Sequence, residues 1–281
     1  MPSDFPQFNI KSINKVKASQ GWYWLNEGVR YFMQARFVWL VSLILVMTVL
    51  LFSVYLLPAF QIMFVFIFPF IVAGLSLACA DIEQGRSMRL DHVLKGFSNP
   101  NRLNILKYGF LLIVLVIIAQ IISSMILAVY GVSQEQVADE LIKLSSNKGA
   151  GFSTIFESPT LIAFLIVTFI SMLPIIVISL LSPVLLAFTN YSALEVIKLS
   201  IVAGIKNFSA FVVYGVIFIS ILAIMILLLN LFLSLLVMVF GQESFIAVLI
   251  YFIAFICVMA MMMSVSYSSS YVAFKDIYLG E

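Results

Sequence analysis

Charge is what this chain has least of. Asp, Glu, Lys and Arg make up 10% of its 281 residues, where a soluble domain carries roughly 25%. Hydrophobic residues make up 63%, and mean hydropathy is +1.17. That balance excludes an ordinary soluble domain and puts the chain among integral membrane proteins. The net charge of +2 is too small to argue for a nucleic-acid partner. Histidine occurs once, at His92, so no His cluster can hold a metal. Cys79 and Cys257 lie far apart in apolar runs, and neither a disulfide framework nor a metal spacing follows from them. Residues 1–20 contain no apolar core of the kind a signal peptide needs. They are expected to form a poorly ordered cytosolic tail.

Long apolar runs are what the chain has in excess. Six of them, at 37–57, 60–80, 108–130, 160–189, 208–240 and 245–267, are long enough to cross about 30 Å of hydrocarbon. The sequence therefore predicts an all-α membrane protein with a six-helix transmembrane domain over 37–268. None of the six runs contains Asp, Glu, Lys, Arg or His. Ionisable groups inside a bilayer are costly and are kept for a use. Their absence argues against a carboxylate-relay transporter, an intramembrane metalloprotease and a voltage sensor. No catalytic residue, metal ligand or cofactor is assigned, and the chain is read as non-enzymatic.

The segments between the runs have patterns of their own. Residues 21–36 are aromatic and flanked by charge. They read as an interfacial helix anchored at headgroup level by Trp22, Trp24 and Tyr31. In 81–107, Leu90, Val93, Leu94 and Phe97 fall on one helical stripe, with Arg89, Asp91, His92 and Lys95 on the other faces. This predicts an amphipathic surface helix with His92 on its solvated side, and helix-capping or salt-bridge roles with Arg86 and Arg89 for Asp81, Glu83, Asp91 and His92. Residues 190–207 repeat the pattern more weakly, with Leu194, Ile197, Ile201 and Ile205 as the stripe. On the opposite side, Ser133 and Gln136 make a capping box that opens a short helix over Val137, Leu141 and Leu144. SSNKGAGFS follows it as a flexible loop, and Gly241-Gln242-Glu243 reads as a tight turn. Residues 269–281 read as a second cytosolic tail.

Two stretches share a plan. Pro69 is followed seven residues on by Ser76 and twelve on by Asp81; Pro183 is followed at the same intervals by Asn190 and Glu195. An earlier proline, Pro58 or Pro174, stands about one span upstream of each. This is a diverged repeat of two hairpins in parallel orientation. Pro69, Pro174 and Pro183 lie inside apolar runs, where a missing N–H predicts a kink. Orientation follows from counting cations. The N-terminus, 81–107, 190–207 and the C-terminus hold five, five, two and one Lys/Arg, which leaves only Lys143 and Lys148 for the other side. The positive-inside rule then puts both termini in the cytoplasm.

Two groups of residues could carry a function. Arg86, Arg89, Lys95, Arg102 and Lys107 lie beside an apolar stripe, as in surfaces that hold anionic lipid headgroups; topology determination explains the same charges. Gln61, Gln120, Asn190 and Asn230 are the polar residues left in or beside the runs. Gln120 and Asn230 suit interhelical hydrogen bonds, worth about 0.6–2 kcal/mol. With Asn190 they would otherwise line an intramembrane path.

The segment Gly21-Trp22-Tyr23-Trp24, followed by Gly28 and Tyr31-Phe32, resembles a bacterial family of multi-pass inner-membrane proteins that opens with Gly-Trp-x-Trp-x3-Gly. Where that family tends to carry a proline before the first span, this chain has Ala35-Arg36. The resemblance implies a bacterial inner-membrane location and six helices, and it carries over no activity. The expected role is membrane or envelope organisation through anionic lipid, another membrane protein or self-association. The alternative is a transporter or lipid translocase with a path between the Pro-kinked hairpins.

Overall fold

The computed structural model describes residues 6–56, 59–146, 157–241 and 244–281, with no side chains described at 53–56, 59–64 and 145–146. Pro58, the side chain of Gln61, most of SSNKGAGFS and Gln242-Glu243 fall outside what is described. Among the described residues every regular element is helical. In chain order these are α1 (Gln20–Gln34), α2 (Arg36–Leu56), α3 (Ala59–Glu83) and the single turn α4 (His92–Lys95). They continue with α5 (Arg102–Val129), α6 (Gln134–Ser146), α7 (Pro159–Phe188), α8 (Ala193–Lys206), α9 (Phe208–Phe240) and α10 (Phe245–Phe274). Five helices are long and apolar enough to cross a membrane. A sixth is added if α1 and α2, bent by 95° at their junction, count as one span.

The chain divides into two compact units, one made of Met1–Gly109 with Ile178–Glu281 and the other of Phe110–Val177. In the larger unit α10 is the hub, against which α1, α2, α3 and α9 pack, and most of its buried residues lie in its second half. The buried face of α1 is Gly21, Trp24, Leu25, Gly28, Tyr31 and Phe32, the spacing of a single helical stripe. Ser264 to Phe274 of α10 are nearly all buried. The helix then widens into a π turn over Lys275–Leu279. The stretch expected to be a C-terminal tail is thus the centre of the fold.

The N-terminal tail is also docked rather than loose. Phe8 N–H donates to the Phe188 carbonyl at 2.8 Å and Asn14 N–H to that of Ile277 at 2.8 Å. The Phe8 ring packs against Phe188 and Phe274. Asn207, between α8 and α9, accepts from Val16 N–H at 2.8 Å and donates to the Asn14 carbonyl at 3.0 Å.

The surface helix expected over 90–97 shrinks to α4 and a 3₁₀ turn, Gly96–Ser98, and its polarity is reversed. His92 is 1% exposed, whereas Leu94 of the apolar stripe is 64% exposed and Leu90 and Phe97 are outside as well. Gly74 and Gly96 explain the close fit. A β-carbon on either would run into backbone, of His92 or of Phe70 respectively, so α3 and the turn pack main chain to main chain. α8 shows the same reversal. It buries Ala193, Val196, Ser200 and Ala203 and turns Leu194, Ile201 and Ile205 outward; of the expected stripe only Ile197 is buried. Where lipid is the solvent, large apolar side chains lose nothing by facing out, and small residues let backbones meet.

α3 runs on through Pro69, and α7 through Pro174 and Pro183, as continuous helices. The positions matched between the two hairpins play different local parts. Asp81 bonds to His92, whereas Glu195 closes the capping box that opens α8. Ser76 is buried and Asn190 exposed.

Candidate functional site: the polar end of the larger unit

Helix ends leave backbone groups without partners, and a buried end must find donors for its carbonyls. The end of α7 finds one for each of its last four. Thr189 Oγ1 donates to the Leu185 carbonyl at 2.7 Å, Asn101 Nδ2 to Leu186 at 3.5 Å, Asn99 Nδ2 to Ala187 at 3.0 Å and Phe8 N–H to Phe188 at 2.8 Å. Asn101 also reaches the Thr189 carbonyl at 2.9 Å and that of Tyr191 at 3.0 Å. The asparagines come from the stretch before α5 and the phenylalanine from the N-terminal tail. One helix end therefore ties two distant segments to itself. Tyr108, wholly buried in α5, adds a bond to the Ile178 carbonyl at 3.4 Å.

Charged residues at this end pair with one another. His92 Nε2 and Asp81 Oδ2 are 2.8 Å apart, Lys95 Nζ donates to the same oxygen at 3.2 Å, and Arg86 bridges to Asp81 Oδ1. His92 Nδ1 is 3.1 Å from Arg89 N and 3.0 Å from its carbonyl oxygen, so either tautomer finds partners. Arg89 pairs with Asp91 at 3.0 Å. At the end of α3, Glu83 accepts from the Tyr271 hydroxyl at 2.7 Å and from Lys275, which also meets Glu281 at 3.1 Å. Ser192 caps α8. Its N–H donates to Glu195 at 2.7 Å, and the Glu195 N–H returns to Ser192 Oγ at 3.3 Å. The backbone bond first, then the side-chain bond, holds the Glu195 carboxyl below the usual carboxylate range.

Of the five cations expected to meet headgroups, Arg86, Arg89 and Lys95 are therefore committed to Asp81 and Asp91. Arg102 and Lys107, both exposed, form no ion pair among the described residues. They flank exposed Leu103, Leu106 and Phe110 on α5. At 3.6 residues per turn the two cations sit about 70° to either side of that stripe.

The aromatic lead-in is core, not a set of headgroup anchors. Trp24 is buried, its ring lies 5.2 Å from Phe211, and its Nε1 donates to Asp276 at 2.8 Å. Tyr31 is buried edge-on against Tyr271 at 5.9 Å. Of the three expected anchors only Trp22 is exposed. Gly21 and Gly28 lie two turns apart on one face of α1. A β-carbon at Gly21 would strike the backbone of Ala210 and Tyr214 in α9, and at Gly28 that of Ser269 and Val265 in α10. Ser268 Oγ then donates to the Gly28 carbonyl at 2.9 Å. The Gly-Trp-x-Trp-x3-Gly spacing thus lets α1 seat against two helices with a tryptophan between the contacts.

The polar residues of the apolar runs lie at the surface of their own units. Gln120, Asn190 and Asn230 are each exposed. Asn230 Nδ2 donates to the Ile226 carbonyl of its own helix at 2.8 Å. Gln120 lies along a groove in the smaller unit, beside α6. There the predicted capping box is present, with Ser133 N–H donating to Gln136 Oε1 at 2.9 Å and Gln136 N–H to Ser133 Oγ at 3.1 Å. Val137 is buried and Leu141 exposed. No group of three or more His, Cys, Asp and Glu that could hold a metal occurs among the described residues. Comparison of the chain with protein-family models, curated proteins and solved structures finds no match.

Asn99, Asn101 and Asn207 carry much of the polar end and were not singled out by sequence reasoning. A signal was there: each asparagine lies within three residues of the start of a long apolar helix. The Ser192-x-x-Glu195 box was legible in the same way.

Proposed function

We propose that this chain is a non-enzymatic multi-pass protein of the bacterial inner membrane, with both termini cytoplasmic, that organises the membrane by holding anionic lipid at its basic end. The observation that carries the reading is the pair Arg102 and Lys107, exposed and without an ion pair among the described residues, on either side of an exposed apolar stripe where α5 begins. A phospholipid presents the matching pattern, with a phosphate at headgroup level above acyl chain. Cations at the membrane surface contribute about 1 kcal/mol each toward anionic lipid. The consumption of Arg86, Arg89 and Lys95 by Asp81 and Asp91 narrows the site to these two residues. Extensive bonding around the end of α7 supports a platform that keeps its shape, as an organising role needs and a gated path does not.

Native mass spectrometry of protein released from nanodiscs tests this. Wild type should retain anionic phospholipid, and Arg102→Ala with Lys107→Ala should reduce retention about thirtyfold, near 2 kcal/mol. A variant with Arg86→Ala, Arg89→Ala and Lys95→Ala should retain the lipid at the wild-type level. Equal retention by wild type and the Arg102/Lys107 variant would refute the proposal. Lipid-free spectra with a co-purifying protein or a stable dimer would move the role to protein–protein assembly.

A further inference from the structure

We infer that Lys95 is a further headgroup cation, held back at neutral pH and released when His92 takes up a proton. The inference rests on the reading of this end of the molecule as a surface for anionic lipid, and it adds a control to that surface.

Three groups crowd one point. His92 Nε2 lies 2.8 Å from Asp81 Oδ2, Lys95 Nζ lies 2.9 Å from His92 Nε2, and the same Nζ lies 3.2 Å from Asp81 Oδ2. Arg86 occupies the other carboxylate oxygen, so Lys95 and His92 share Oδ2. An ammonium group can only donate. Its contact with Nε2 is therefore favourable where Nε2 keeps its lone pair, in the neutral imidazole with the proton on Nδ1. The Arg89 carbonyl, 3.0 Å from Nδ1, accepts that proton.

An imidazolium changes the arrangement. Its Nδ1–H keeps the Arg89 carbonyl, and its Nε2–H takes Asp81 Oδ2 at the distance already in place. Lys95 Nζ then faces a donor of like charge and loses its claim on Oδ2. His92 is 1% exposed and cannot turn away, whereas the Lys95 side chain is 32% exposed on a flexible four-carbon stem. Lys95 is the group that leaves. Asp91 does not alter this, because its Oδ1 is 3.5 Å from Nδ1 and its Oδ2 is paired with Arg89 at 3.0 Å. No other charged side chain pairs with His92 among the described residues.

Imidazole is the side chain whose charge ordinarily changes between pH 5 and 8, and His92 is the one histidine of the sequence. Once released, Lys95 stands beside exposed Leu90, Leu94 and Phe97. That repeats the pairing of free cation and outward apolar side chains that Arg102 and Lys107 make with α5.

Two measurements test this on the full chain at pH 7.5 and pH 5.5, either side of the ordinary imidazole range. In nanodiscs of phosphatidylglycerol and phosphatidylcholine, native mass spectrometry reads the retained phosphatidylglycerol. One added surface cation should raise wild-type retention about fivefold at the lower pH. His92→Gln, which takes up no proton there, and Lys95→Ala should each lose the rise. Arg102→Ala with Lys107→Ala should lower retention at both pH values and keep the ratio, so the two readings fail separately. In detergent without lipid, 13C-methylated lysines, which keep their charge, report the release directly. The Lys95 signal, assigned by its loss in Lys95→Ala, should move toward those of the exposed lysines between pH 7.5 and 5.5 in wild type. It should stay in place in His92→Gln. An unmoved wild-type Lys95 signal overturns the inference whatever the lipid result, and so does a rise in retention that survives Lys95→Ala.

Discussion

The two halves of α10 follow opposite rules. Its first half is mostly large apolar residues and little of it is buried; Phe245 has 76% of its surface free. Its second half carries Ser264, Ser268, Ser269 and Ser270, and all are buried. In water the apolar half would be the core and the serines the surface. Here lipid covers the apolar half at no cost, and helix contacts form where small side chains let backbones approach. Ser264 bonds back to the Ala260 carbonyl of its own helix at 2.7 Å, Ser268 to that of Ser264 at 2.8 Å and Ser270 to that of Ser266 at 2.9 Å. Of the four, the Ser269 hydroxyl alone has no hydrogen-bond partner among the described residues.

The largest test of this contrast is Gly28→Leu, which puts a bulky side chain where α1 meets α10. It should abolish the folded monodisperse species in size-exclusion chromatography. Trp24→Ala comes next, with a loss of about 3–5 kcal/mol in thermal unfolding in detergent, since a buried indole leaves a cavity. Asn101→Ala should cost about 1–3 kcal/mol by stranding the carbonyls of Thr189 and Tyr191. It should also raise hydrogen exchange at the end of α7. Tyr271→Phe removes one bond to Glu83 and should cost about 1 kcal/mol. In the first half of α10, Phe252→Ala should stay within about 0.5 kcal/mol, as surface changes do. A Phe252→Ala loss as large as that of Trp24→Ala would mean that protein, not lipid, covers this half.

Apolar length made most of the fold legible. The long helices at 37–57, 160–189 and 208–240 appear within a residue of their expected bounds, that at 108–130 begins six residues early, that at 245–267 ends seven residues late, and the Ser133/Gln136 box opens α6 as read. The errors share one cause. Reading 90–97 and 190–207 as amphipathic helices assumed that apolar stripes face protein and polar ones face water. His92 reversed this because Asp81, eleven residues away in sequence, supplies a partner inside the fold. Trp24 and Tyr31 are aromatic in a place that suits headgroups, and nothing local separates an anchor from a core ring. Asp276, 252 residues from Trp24, makes that decision.

Composition and run length by themselves determined a helical membrane protein with five or six long apolar helices and spans free of ionisable groups. Those are sums over local properties, and the cost of charge in hydrocarbon enforces them. Tertiary structure alone decided which half of α10 is buried, that residues 6–19 dock, and which cations remain free. Each of these depends on a partner distant in sequence: Phe188 for Phe8, Asn207 for Val16, Asp81 for Lys95. Burial of a polar group is set by where its partner stands, and only the folded chain brings the two together.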